Sequence, residues 1–236
     1  MFWELLLAHV LADFVFQTKS VAKNKLVFTE TLKHCLYLFT ISIFVLFVVG
    51  YRDLYLLIPI LIISLTHGII DYLKAKIDAR TNDKWNWVLF SIDQIIHVIS
   101  IILIIIVFQP IYKEIYFVKI GSYLSNLDLV KSALFIALIT FGGCYFTTSV
   151  CKGLKPSEKG NESLNDAGKY IGILERLIIF VSILAGRYEI IGFLIAAKSI
   201  IRHQEKNNKA FAEYFLIGTF TSFLWAVSFT YLYLKL

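Results

Sequence analysis

Between His97 and Pro110 the chain runs for 12 residues without a charged side chain, and comparable apolar stretches recur along its whole length. Backbone N–H and C=O groups in hydrocarbon must find partners within their own segment, so runs of this kind fold as helices across a bilayer. A crossing takes about 20 residues. Segments 2–17, 27–49, 54–73, 86–108, 129–150, 168–185, 189–203 and 211–234 reach or approach that length. The expected fold class is all-α: a polytopic transmembrane helical bundle of about eight spans. The seventh segment is short for a full crossing and reads as re-entrant or strongly tilted. Hydrophobic residues make up 58% of the chain, charged residues 17%, and mean hydropathy is +0.73, which excludes an ordinary soluble domain. Met1-Phe2-Trp3-Glu4 lacks a basic region, so no cleavable signal peptide is expected.

Basic residues give an orientation. Lys19, Lys23 and Lys25 follow the first segment; Lys74, Lys76, Arg80 and Lys84 the third; Lys152, Lys155 and Lys159 the fifth; Arg202, Lys206 and Lys209 the seventh. The alternate connections carry only Arg52, Lys113, Lys119 and Arg187. The positive-inside rule then puts loops near 18–26, 74–85, 152–167 and 203–210 in the cytoplasm and both termini outside. The net charge of +6 is accounted for by these loops, and nucleic acid is not expected as a partner. Cys35, Cys144 and Cys151 have no CxxC spacing and indicate neither a disulfide framework nor a thiolate metal site. Pro110 and Gly121 punctuate the long connection 109–128, and a polar loop runs from Lys152 to Asp166. Two halves are expected, 1–128 and 129–236.

Three histidine–aspartate pairs stand four residues apart within apolar segments: His9/Asp13, His67/Asp71 and Asp93/His97. Residues four apart share a helix face. His34 adds an imidazole in the second segment. Buried charges are costly in an apolar setting unless they are paired or bind a metal. The inferred topology places all seven residues in the cytoplasmic half of the bilayer, as one shared site requires. Imidazole and carboxylate suit a divalent metal such as Zn, Mn or Fe. His9, Asp13, His67, Asp71, Asp93 and His97 are the expected metal ligands, with His34 as ligand or general base and Asp93 as a second candidate catalytic group. Gln17, Gln94 and Thr66 are candidate outer donors. Polar pairing between helices and a proton relay are the alternatives.

A second group occupies the C-terminal half: Glu175, Arg176, Lys198 and Arg202. Cations at membrane depth suit a phosphate or a lipid head group, and these four are the expected substrate-binding residues. Local pairing of Glu175 with Lys198 or Arg202 is the competing reading. Gly168-x-x-x-Gly172, Gly142-Gly143 and Gly218 read as close helix-packing positions, with a homo-oligomer left open. Trp85 and Trp87 fit an interfacial belt, Trp3 and Trp225 less clearly.

His9-Val-Leu-Ala-Asp13-Phe-Val-Phe-Gln17, His67-Gly-Ile-Ile-Asp71-Tyr-Leu-Lys74 and Asp93-Gln94-Ile-Ile-His97 resemble a bacterial family of polytopic membrane proteins, domain-of-unknown-function family 3307. Gly168 to Arg176, Ala196 to Arg202 and Glu213 to Thr219 look like the C-terminal part of its longer members. The resemblance implies a bacterial inner (cytoplasmic) membrane location and brings no activity with it. From the residues, the expectation is a membrane-embedded, metal-dependent hydrolase or transferase. It would act at the cytoplasmic face on a phospholipid or another phosphate-bearing substrate. The alternatives are a transporter or ion- and proton-handling protein, and a structural membrane protein. The outer halves of the second to fourth segments, such as Ile99 to Val107, are almost wholly apolar, which disfavours a polar path through the membrane.

Overall fold

The computed structural model describes residues 1–109, 127–154, 167–203 and 209–236, with all of their side chains except those of 19, 23 and 201–203. Most of the connection 109–128 with Pro110 and Gly121, the polar loop from Lys155 to Asp166, Lys206 and the side chain of Arg202 fall outside this description.

Among the described residues the chain forms helices and no strands. Helix α1 (Phe2–Val10) runs into a π turn over Leu11–Val15, and the short α2 (Lys19–Lys23) follows. Helices α3 (Phe28–Val49), α4 (Leu57–Asp78) and α5 (Asn86–Val107) come next. α6 (Leu127–Ala137) passes through a second π turn, Leu138–Gly142, into α7 (Gly143–Cys151). α8 (Ala167–Leu184), α9 (Tyr188–His203) and α10 (Lys209–Lys235) complete the chain. Each of the eight segments expected from the apolar pattern is helical. Five are long and apolar enough to cross a membrane: Phe28–Val49, Leu54–Asp78, Asp83–Val107, Leu127–Leu154 and Lys209–Lys235.

The chain divides into two compact units. The first holds Met1–Thr81 and Val88–Ala137, the second Asn82–Trp87 and Leu138–Leu236. In the first, α3 packs on α1 and α4, and α1 packs also on α6. Leu5, Ala12, Leu38, Leu46, Leu56, Ile60, Ile63 and Ile101 form a buried apolar layer. Phe44, Phe47, Leu61, Leu65, Ile95, Leu103 and Ile106 point outward, while His9, Asp13, His34, His67, Asp71, Asp93 and His97 are buried. Apolar outside and ionisable inside is the distribution that lipid demands.

In the second unit, α10 packs on α7 and α8, and α8 on α9. A π turn leaves carbonyls without their usual helical partners. Here two side chains supply donors: Trp225 Nε1 to Leu138 O at 3.1 Å, and Arg176 Nε to Thr140 O at 3.1 Å. Trp225 thus serves as a structural donor to the π turn. A Cβ on Gly143 would meet both the Arg176 and Trp225 side chains, so this glycine fits the close-packing expectation. Beside Gly168 none of the described residues comes within 4 Å of a Cβ position.

Candidate metal centre

Four helices of the first unit bring His9, Asp13, His34, His67, Asp71, Asp93 and His97 to one place. The side chains are only 1 to 5% exposed. Ring centroids of His9 and His67 are 5.2 Å apart, of His9 and His97 5.1 Å, and of His67 and His97 4.0 Å.

The spacing-four pairs are not the closest contacts. Within pairs, the separations are 4.0 Å for His9 Nδ1–Asp13 Oδ2, 3.6 Å for His67 Nε2–Asp71 Oδ2 and 3.4 Å for His97 Nε2–Asp93 Oδ1. Around His34 and Asp13 the contacts between helices are shorter. His34 Nε2 lies 3.0 Å from Asp13 Oδ1, 2.9 Å from His67 Nε2 and 3.3 Å from Asp71 Oδ2. His67 Nε2 lies 3.1 Å from Asp13 Oδ1. The π turn over Leu11–Val15 contains Asp13. The wider turn re-aims this carboxylate away from His9 and towards α3 and α4, a known use of π turns at functional positions.

His34, His67, Asp13 and Asp71 thus present four donor atoms, and five of their six separations run from 2.9 to 3.6 Å. Donors about 2.0–2.2 Å from a tetrahedral ion stand about 3.3 Å apart, so these are the edges of a site of metal size. Two imidazole nitrogens at 2.9 Å need a cation or a proton between them. Three groups of buried residues here can hold a metal ion: His9, Asp13 and His67; His34, His67 and Asp71; and Asp71, Asp93 and His97. Asp71 Oδ2, Asp93 Oδ1 and His97 Nε2 are buried without a hydrogen bond.

Outer contacts follow the sequence expectation in part. Gln94 joins His9 Nε2 at 3.3 Å to Asp93 Oδ2 at 3.1 Å, and Gln17 Nε2 lies 3.4 Å from His34 Nε2. Thr66 is excluded, because its hydroxyl donates to Ile62 O and Ile63 O of its own helix.

Two residues escaped sequence reasoning. Lys25 Nζ lies 2.8 Å from Asp71 Oδ1, and Lys74 Nζ lies 3.6 Å from Asp93 Oδ2. Both lysines read as basic loop charges. Lys74, three residues after Asp71, carried a local signal; Lys25 carried none. Burial alone would lower the Lys25 pKa, but the Asp71 and Asp13 carboxylates hold it above the ordinary lysine value. With neutral imidazoles, three carboxylates against two ammonium groups leave one negative charge.

The C-terminal group has partners within its own unit. Lys198 Nζ lies 2.7 Å from Glu175 Oε2. Arg176 is 2% exposed and gives its donors to Thr140 O, Ser222 Oγ and Cys144 Sγ.

Residues 1–125 match the family described as "Protein of unknown function (DUF3307)". The chain belongs to this family. All seven residues of the centre, with Lys25 and Lys74, lie inside the matched region. No curated protein and no solved structure matches the chain.

Close approach of α3 to α4 depends on Gly68, since a Cβ there would run into Cys35 Sγ. Gly68→Ala is expected to destabilise the protein by about 1–3 kcal/mol through overpacking. Cys35→Ala/Gly68→Ala is expected to be more stable than the sum of the single changes predicts. Denaturant unfolding in detergent of the four forms gives the coupling, and strict additivity would show that the contact does not limit the packing.

Proposed function

We propose that this protein is a membrane-embedded metalloenzyme whose first unit holds one divalent ion, Zn, Mn or Fe, at Asp13, His34, His67 and Asp71. The donor geometry carries this reading: four buried N and O atoms from four residues, with five of their six separations near a tetrahedral edge. His34 is then a ligand rather than a free base, and Asp93 is the nearby carboxylate available to accept a proton. His9 and His97 flank the ion.

Charge supports hydrolysis. A divalent ion turns the residual single negative charge into a single positive one. An ion held there by Asp13, His34, His67 and Asp71 would supply the positive charge that activates water for hydrolysis. The centre would serve a hydrolase or transferase acting at the cytoplasmic face on a phosphate-bearing lipid. Arg176 and Lys198 have protein partners within their own unit and are not proposed as anion contacts. The proposed setting is the bacterial inner membrane, with eight spans and both termini outside, on the Lys and Arg asymmetry.

One observation favours a second reading. A proton shared by His34 Nε2 and His67 Nε2, 2.9 Å apart, also cancels the residual charge, and such a relay belongs to an ion- or proton-handling protein. Reconstitution in phosphatidylethanolamine/phosphatidylglycerol vesicles separates the two. The enzyme reading predicts head-group release or transfer that stops on chelation and in Asp13→Asn. Chelator-insensitive proton flux without lipid turnover would replace it with the second reading.

A further inference from the structure

Beside the four-donor site lies a second set of buried donors with the wrong occupant. His97 Nε2 stands 3.4 Å from Asp93 Oδ1 and 3.7 Å from Asp71 Oδ1, and all three atoms lie within 4.8 Å of one another. His97 is 1% exposed, Asp71 1% and Asp93 4%. Asp93 Oδ1 and His97 Nε2 have no hydrogen bond. Buried polar atoms in a folded interior nearly always have partners, so two on one small space call for an explanation. Asp71 divides its oxygens: Oδ2 faces His34 and His67, Oδ1 faces His97. A carboxylate so placed is a bridge between two cation positions, as in two-metal sites with ions about 3.5–4 Å apart. What sits on Oδ1 is the ammonium of Lys25, at 2.8 Å.

We propose that His97, Asp93 and Asp71 Oδ1 form a second divalent-cation site, and that the Lys25 ammonium holds its place as a tethered cation. This rests on the metal centre proposed above, and adds to it that the centre is built for two ions and restricted to one. The exclusion is electrostatic and steric. With Lys25 and Lys74 in place, two divalent ions would leave the buried site with three surplus positive charges, and such uncompensated charge in an interior is strongly disfavoured. An ion about 2.0–2.2 Å from Oδ1 would also compete with an ammonium for the same oxygen. Replacing Lys25 removes one positive charge and frees Oδ1, while Lys74 stays on the other oxygen of the Asp93 carboxylate. Lysine rather than arginine suits the task, since a compact ammonium on a flexible stem occupies one ion's position.

The test is metal stoichiometry of the full chain in detergent, dialysed against Mn²⁺ and measured by elemental analysis, with electron paramagnetic resonance to detect a spin-coupled pair. Wild type is expected to bind one Mn²⁺ and show an uncoupled signal. Lys25→Met is expected to bind two and show coupling. Lys25→Met/Asp93→Asn should return to one. Lys25→Gln keeps a donor to Asp71 without the charge and is also expected to bind two, which covers a Met variant that does not fold. Two ions in the wild type, or one in both Lys25 variants, overturns the proposal. If neither variant folds, Lys25 holds the centre together instead of reserving a site, and the proposal is overturned in that case too. No ion in the wild type together with one in Lys25→Met would overturn the single-ion function above. No ion in any form would overturn both.

Discussion

Asp71→Ala is expected to lower metal affinity by at least about 100-fold, because it removes a ligand where even outer partners are worth about 10–100-fold. It should also destabilise the first unit by about 3–5 kcal/mol, the usual cost of removing one partner of a buried ion pair. The second effect comes from what stays behind. Lys25 lies 2.8 Å from Asp71 Oδ1 and would be left as an unpaired cation in an apolar interior. Asp71→Ala/Lys25→Met should regain much of the stability and none of the Asp71-dependent metal binding. Chelator competition reads the first quantity, and thermal unfolding in detergent with and without metal reads the second. If Asp71→Ala binds metal as the wild type does, Asp71 is only a counter-charge for Lys25.

Arg176→Ala is the second large effect, and it falls in the other unit. The guanidinium satisfies Thr140 O within the π turn and reaches Ser222 Oγ. Truncation leaves that carbonyl without its donor and opens a cavity beside Gly143. The expected loss is about 3 kcal/mol or more. Arg176→Met, which fills most of the volume, should lose less. Metal content of both variants should equal that of the wild type. An Arg176→Met protein that is as stable as the wild type but inactive would return this residue to the substrate site.

The helices were legible because lipid imposes one strong rule, and Ile99 to Val107 or Phe39 to Val49 can satisfy it only as helix. The convergence of His9, His67 and His97 was legible because the Lys and Arg pattern put them at one depth. Which atoms meet was not legible. Sequence spacing pairs His9 with Asp13, yet the π turn carries Asp13 to His34 and His67. Nothing in the residues Leu11–Val15 marks a widened turn. Lys25 was hidden for a different reason. A lysine just outside a span already has an explanation in the orientation rule, so its reach back to Asp71 adds no visible signal. In the C-terminal half, Arg176 and Lys198 drew attention by charge alone. Charge alone does not distinguish an anion site from a cation paired to Glu175 or held by a π-turn carbonyl.

Elemental analysis of the wild-type protein, purified mildly without chelator, tests the central claim most directly. About one Zn, Mn or Fe per chain is expected from the four N/O donors, and Asp13→Asn/His67→Ala should fall to background. Background metal in the wild type, unchanged after dialysis against each of the three ions, would contradict the account and leave the cluster as a proton-sharing network of buried side chains.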